Sequence, residues 1–314
     1  MKPKTIEKVI KVKMEEWLSS ITDSELRKEV RDNLLVSGGS ITSMFLNEPV
    51  NDYDVYLMNM DLCKRIAQYY ISKNPDIELF DGREKQLMIN DFNSSAYNLD
   101  LKDDQKPIDI NSAYTISLRN LKPDQIKLYF KTKTGGLKAN EGVDISTLNY
   151  APLYYSPNAI SLSNNIQIVL RFWGTAEQVH KTFDFIHATN YFTFKDGLVI
   201  NLKAIEAILT KQLLYQGSLY PVTSIIRAKK FIKRGFNIGA GELLKIMFQI
   251  SSLDLSNPDV LEEQLIGVDV AYFALLIEAL RNKFESEKDF KLSHEYFNAL
   301  VDKIFNESEE TSHD

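Results

Sequence analysis

Two short stretches of this chain carry the groups that handle phosphate and metal. The first is Val36-Ser37-Gly38-Gly39-Ser40, where an apolar run gives way to two glycines and a serine before a helix-like segment. Glycines let backbone approach a phosphate closely, the first N–H groups of a helix point at it, and a serine hydroxyl caps the helix or bonds a phosphate oxygen. The second is Asp52-Tyr53-Asp54-Val55-Tyr56. Strand side chains alternate, so Asp52 and Asp54 share one face while Tyr53 and Val55 take the other. Neighbouring carboxylates repel, a cost that a divalent cation offsets, and oxygen donors are what Mg²⁺ demands. Each stretch alone fits a plain turn or a solvated strand end. Together they point to a phosphate cradle beside a metal-binding acid pair.

Other residues compete for supporting roles. Asp184 lies between Phe183 and Phe185, and a carboxylate in so apolar a run needs a partner, either a metal shared with the first pair or a backbone turn. Asp109, in Pro107-Ile108-Asp109-Ile110, is the rival third carboxylate; Asp184 is preferred. His187 fits a core position as well as a base or ribose contact, and Arg171 fits a surface ion pair as well as a ligand contact. Arg227, Lys229, Lys230, Lys233 and Arg234 form a basic run. On a helix Arg227, Lys230 and Arg234 share a face, suited to a triphosphate, to an RNA backbone, or simply to solvent.

The layout resembles the nucleotidyltransferase superfamily of polymerase-β-like enzymes, on its Gly-Gly/Ser and Asp-x-Asp signature. Two later stretches sharpen the resemblance. Phe183-Asp184-Phe185-Ile186-His187-Ala188-Thr189-Asn190-Tyr191 is similar to the Arg-Arg-Asp-Phe-Thr-Ile-Asn-Ala motif of class II CCA-adding enzymes and bacterial poly(A) polymerases. Ser224 to Ile238 is similar to their neck helix. The resemblance implies an α+β fold: a nucleotidyltransferase head with a mixed β-sheet, then a helical neck and tail. It implies template-independent transfer of a nucleoside monophosphate from an NTP, ATP or CTP, to the 3′-end hydroxyl of a tRNA-like RNA, with release of pyrophosphate. Asp52, Asp54 and Asp184 would hold two Mg²⁺ ions; Gly38, Gly39 and Ser40 would grip the β and γ phosphates, with Arg227 and Lys230 on the neck side. A small-molecule or protein hydroxyl, or nucleotide binding without transfer, are the alternatives. Two departures stand out. Thr182-Phe183 replaces the paired arginines, and Tyr220-Pro221-Val222-Thr223-Ser224 stands where the CCA enzymes carry their acidic and basic selection groups.

The elements that must position these groups follow from the hydrophobic pattern. Ile6, Val9, Ile10, Val12, Met14, Trp17 and Leu18 recur near helical spacing, and Asp23-Ser24-Glu25 opens a second helix. Strands are predicted at Leu34–Ser37 and Tyr53–Met58, a helix at Asp61–Lys73, and a hairpin with strands Ala159–Leu162 and Ile166–Phe172 turning at Asn164-Asn165. Residues 75–150 are rich in breakers and read as a β-elaborated insertion, with strand-like pieces at Leu87–Ile89, Ile108–Ile110 and Lys127–Phe130. The head is expected over 1–202, a helical domain over 203–306 with Asn257-Pro258 opening one helix, and a disordered acidic tail over 307–314.

Composition bounds the rest. With 314 residues, 44% hydrophobic and 25% charged, the chain matches an ordinary globular protein of about two domains. One cysteine, Cys63, excludes an internal disulfide and is expected buried in a helix. No signal-peptide or membrane-spanning block is visible, so a cytoplasmic location without membrane contact is expected. The net charge of −6 confines any nucleic-acid contact to a local patch.

Overall fold

The computed structural model describes residues 1–73, 77–81, 128–132, 149–155 and 159–255, with residues 260, 264, 295 and 299. The chain divides into two compact units, Met1–Gln216 and Gly217–Asp314.

The first unit is built on a seven-stranded mixed sheet. Helix α1 (Pro3–Ser20) starts with proline inside its first turn, where the missing N–H costs nothing. Its stripe of Ile6, Ile10, Met14, Trp17 and Leu18 is buried. Helix α2 (Ser24–Asn33) is capped by Asp23, whose carboxylate accepts the Glu25 and Leu26 N–H groups. The chain then enters β1 (Leu34–Ser37), turns at Gly38 into α3 (Gly39–Leu46), returns as β2 (Tyr53–Leu57) and continues into α4 (Met60–Ile71). A separate antiparallel ladder pairs β3 (Ile77–Asp81) with β4 (Leu128–Thr132). It falls in the region expected to be β-rich; the strands expected at Leu87–Ile89 and Ile108–Ile110, and Asp109, lie outside the described residues.

The sheet is completed by β5 (Pro152–Tyr155), β6 (Ala159–Leu162), β7 (Ile166–Trp173), β8 (Tyr191–Thr193) and β9 (Gly197–Val199), in the order β5-β6-β7-β2-β1-β8-β9. β2 and β7 run parallel, while β1 pairs antiparallel with both β2 and β8, which makes the sheet mixed. The β6–β7 hairpin turns where expected: Asn164 and Asn165 both take φ of 61°, the left-handed pair that a two-residue hairpin loop requires.

One face of the sheet packs against α1, α2 and α4. Leu34, Val36, Val55, Leu57, Ile168 and Leu170 join Ile10, Trp17, Leu62, Cys63 and Ile66 in a single core. The Trp17 indole N–H donates to the Tyr70 hydroxyl at 2.8 Å, and the Tyr155 hydroxyl donates to the Tyr70 carbonyl at 3.0 Å. Both aromatic polar tips are thereby satisfied inside apolar surroundings. Cys63 is buried on α4, and burial pushes its thiol up to about 12, so it is inert as a nucleophile. The other face carries a smaller cluster of Leu35, Tyr56 and Val179, with Val169, Phe172, Phe183 and Tyr191 at its margin. Val179 comes from α5 (Ala176–His180), whose start is fixed by a Thr175–Gln178 capping box.

Helix α6 (Leu202–Leu209) belongs to this first unit, whereas the sequence places residues from 203 onward in the tail domain. Asn201 explains the difference. Its side chain caps α6 by accepting from Lys203 N–H and donates to Thr189 Oγ1, while its own N–H donates to Asn190 Oδ1. Ala204, Ala207 and Ile208 form the buried side of the helix.

The second unit contains α7 (Pro221–Lys233) and α8 (Ala240–Ser251). Among the described residues no helix is long and apolar enough to cross a membrane.

Candidate nucleotide and metal site

Gly38 joins β1 to α3 in a conformation only glycine adopts readily, φ 97° and ψ −151°. A Cβ built there would stand 2.9 Å from Asp54 Oδ2, so the glycine backbone and the carboxylate are packed face to face. The register explains this proximity. Ser37, the last residue of β1, pairs with Asp54 near the start of β2, so the turn into α3 passes directly over that carboxylate. Gly38 N–H is committed to the Ala188 carbonyl at 3.1 Å, which holds the turn in place from the other side. At Gly39 a Cβ would meet nothing within 4 Å, leaving open space above the first turn of α3. That turn has no side-chain cap. Ser40 is 3% exposed, and its Oγ has no hydrogen-bond partner among the described residues. The predicted cradle of Gly38, Gly39 and Ser40 therefore lies next to Asp54 at one end of the sheet.

Asp52 sits just before β2, and the following residue, Tyr53, donates its N–H to the Asn165 carbonyl at 2.8 Å. The hairpin turn thus braces the chain that presents the acid pair. Asp52 reaches solvent, yet the protein mass beside it raises its carboxyl above the ordinary carboxylate range by desolvation. A carboxylate held in that state gains from a cation.

A polar cluster behind the cradle fixes the end of β1. Ser37 is fully buried, and its Oγ lies 2.9 Å from His180 Nε2, 2.9 Å from the Asn190 carbonyl and 3.3 Å from the Ala188 carbonyl. Serine has one proton and the carbonyls can only accept, so the Nε2–H tautomer of His180 donates to Ser37 Oγ and Ser37 donates onward. Burial pulls His180 down to about 4, which keeps the ring neutral and consistent with that single donation. Nothing in the sequence around His180 marks this role; only the fold brings it to Ser37.

The remaining candidates are distributed differently from expectation. Asp184 is buried, and the backbone around it is pinned to a neighbouring segment: its carbonyl accepts the Gln216 N–H at 3.0 Å and Phe185 bridges Tyr215. Among the described residues no three His, Cys, Asp or Glu side chains are grouped to hold a metal ion, so Asp184 is not gathered with Asp52 and Asp54. His187 is fully buried with its ring 6.0 Å from that of Phe185, and its carbonyl accepts from Thr42 Oγ1, a core position tying α3 to residues 186–188. Arg171 stacks at 5.6 Å on Phe172. Arg227 and Lys230 lie on α7 of the second unit, whose first residues Pro221, Val222, Thr223 and Ser224 are buried. The start of this helix is thus core in this chain.

The described donor set fits a hard divalent cation. Two carboxylates at one sheet end, beside a cradle that a Cβ at Gly39 would fill, match Mg²⁺, which takes one or two carboxylates and completes its shell with water and substrate phosphates.

Comparison with known proteins places the chain. The model of the Gabija anti-defense 2 family protein matches residues 8–211, and the chain belongs to that family. It is 22% identical over 293 residues to Gabija anti-defense 2 of Bacillus phage SPbetaL7, covering 90% of this chain and 56% of that protein. The chain thus spans about half the length of the curated relative it matches. Solved structures it is similar to include the Thermotoga maritima CCA-adding enzyme complexed with tRNA, at 14% identity and a TM-score of 0.39, covering 93% of this chain and 65% of that one. The Bacillus stearothermophilus CCA-adding enzyme in complex with CTP follows at 12% identity and a TM-score of 0.36, covering 89% and 53%.

Proposed function

We propose that this member of the Gabija anti-defense 2 family is a Mg²⁺-dependent nucleotidyltransferase. It would transfer a nucleoside monophosphate from an NTP to a hydroxyl, release pyrophosphate, and act against a component of the defence system its family opposes. The observation that carries this reading is the packing of Gly38 on Asp54: a backbone shaped for close approach to phosphate touches a carboxylate suited to the cation that travels with it.

In this reading Asp52 and Asp54 hold Mg²⁺, which when bound supplies charge neutralisation for the triphosphate and acidifies the attacking hydroxyl. Gly39 and Ser40 receive the β and γ phosphates: Gly39 leaves the space and Ser40 Oγ supplies the unused donor. Gly38 holds the turn against Asp54, and the Ser37–His180 hydrogen bond keeps β1 at the height that sets this contact. Asp184 serves the reading as a positioning residue in the buried segment that leads to the Ala188 carbonyl and so to Gly38 N–H. Arg227 and Lys230, on α7 of the second unit, remain candidate contacts for an RNA backbone. The 3′ end of an RNA, with ATP or CTP as donor, is one acceptor to be tried.

The test is transfer of label from each α-labelled NTP with Mg²⁺, wild type against Asp52→Ala/Asp54→Ala. Label incorporated by the wild type should fall about a hundredfold or more in the double variant, as expected when groups at a metal are lost. Equal incorporation by both proteins would sink the proposal. Mg·NTP binding without transfer would support nucleotide sequestration instead, a reading in keeping with the absence, among the described residues, of a group of three metal-holding side chains.

A further inference from the structure

The strand register draws a line of polar side chains across the face of the sheet opposite the helix-packed core. Ser37 pairs with Asp54, Asp54 with Gln167 on the parallel strand β7, and Gln167 with Ser161 on β6. Residues paired across strands share a face, so Asp54, Gln167 and Ser161 project to the same side, opposite the helix-packed core. Gln167 and Ser161 are half-buried, and among the described residues their side chains make no hydrogen bond. Strands lie about 4.8 Å apart, which puts Gln167 one step and Ser161 roughly 10 Å from Asp54. A carboxamide with two donors and an acceptor, and a hydroxyl beside it, stand ready for a ligand at no cost in internal bonds.

Stereochemistry decides which ligand. In the strand order β6-β7-β2-β1, the phosphate cradle lies on the β1 side of Asp54 and Gln167 with Ser161 on the other. In-line displacement at the α-phosphate puts the attacking oxygen opposite the leaving pyrophosphate. If pyrophosphate leaves from the cradle, the attacking hydroxyl arrives over β7 and β6. We infer, on the basis of the transferase reading above, that Gln167 and Ser161 form the acceptor subsite and that the acceptor is a hydroxyl on a polypeptide, a serine, threonine or tyrosine side chain. The acceptor oxygen forms a bond to the α-phosphorus, the bond from that phosphorus to the bridging oxygen breaks, and pyrophosphate leaves with the electron pair. The acceptor proton passes to a carboxylate of the pair or to water.

Charge separates this acceptor from a nucleic-acid end. An RNA 3′ end brings a phosphate with its last nucleotide, and proteins that hold such ends neutralise phosphates with lysine or arginine. Strands β2, β6 and β7 carry a single cation, Arg171, four residues beyond Gln167 and therefore about 13 Å along the strand. A neutral carboxamide matches instead the N–H and C=O groups of a peptide that carries the hydroxyl.

The experiment uses the full chain, α-labelled ATP and CTP, Mg²⁺, and three acceptor probes: N-acetyl-serinamide, N-acetyl-tyrosinamide and a short oligoribonucleotide with a free 3′ hydroxyl. The expected result is transfer to an amino-acid probe. Gln167→Leu should raise the KM for that probe about tenfold, as loss of a hydrogen bond does, with the KM for the NTP unchanged. Ser161→Ala should shift the same constant in the same direction and serves if Gln167→Leu folds poorly. Transfer to the oligoribonucleotide alone, dependent on Asp52 and Asp54 and indifferent to Gln167, would overturn this inference and leave the transferase reading standing. A Gln167 effect on the NTP constant alone would overturn it too, by placing the residue at the nucleotide. Absence of transfer to every probe overturns both.

Discussion

The two faces of the central sheet are built from the same strands yet differ in almost every physical respect. Toward α1, α2 and α4, the strands present Leu34, Val36, Val55, Leu57, Ile168 and Leu170, all essentially inaccessible to water. One residue along each strand the pattern inverts: Ser37, Asp54, Gln167 and Ser161 gather at one end of the opposite face, with the small Leu35–Tyr56–Val179 cluster behind them. Burial of each large side chain on the first face contributes about 1.5–3 kcal/mol, enough to secure the strands without help from the second. The second face is therefore released from packing duty, and groups that cost stability, such as a desolvated carboxylate and a glycine at positive φ, are found there.

Substitutions can test how independent the faces are. The largest effect is expected on the packed side. Trp17→Ala should cost roughly 3–5 kcal/mol, by leaving a cavity and stranding the Tyr70 hydroxyl, and should lower Tm by on the order of 10 °C. Next comes Gly38→Ala, with a backbone cost of about 1–3 kcal/mol. Because the new Cβ meets the far end of Asp54, the carboxylate moves aside, and stabilisation by Mg·ATP in a melting experiment should disappear. Gly39→Ala, built into open space, should leave Tm of the free protein unchanged while still weakening Mg·ATP; equal losses from both glycine variants in the free protein would break the distinction drawn between them.

Two pH effects are smaller. His180 binds a proton at its ordinary value of 6.5 when unfolded but only near 4 when folded. The folded state therefore holds fewer protons in that window, and stability should fall as pH drops from 6.5 toward 4. His180→Gln keeps an N–H for Ser37 and should flatten that slope, read as urea midpoints at pH 7 and pH 5. Asp52 has the opposite sign. Its raised carboxyl binds a proton more readily in the folded chain, so stability falls as pH rises above the ordinary 3.8 and through the raised value. Asp52→Asn should be slightly more stable than wild type at pH 7 without Mg²⁺, and the gap should close below about pH 4. A gap that persists in acid would place its cause outside the carboxyl.

Much of this was legible in the residues because it is local. The Val36–Ser40 turn, the Asp52–Asp54 strand, the Asn164–Asn165 hairpin, the capped start of α2 and the buried Cys63 each follow from a few neighbouring side chains. What escaped depends on pairing across long separations. That β7 lies parallel to β2, setting Gln167 beside Asp54, is decided by how two hydrophobic strands share one core, and no adjacent motif encodes it. His180 reaches Ser37 for the same reason. The assignment of α6 to the head turned on three side-chain hydrogen bonds of Asn201 and Asn190, invisible to periodicity. Asp184 sits in an apolar run as read, but its backbone is tied to residues 214–216 and not gathered with the acid pair.

The Tyr155–Tyr70 bond bears on the length of chain that can run between the two tyrosines. Tyr70 lies in the last turn of α4 and Tyr155 ends β5, so their hydrogen bond ties together two points 85 residues apart in the chain. Once the ends of a loop are held together, doubling its length costs only about 0.6 kcal/mol of closure entropy. Lengthening the chain between the two tyrosines then adds little closure entropy while their bond holds.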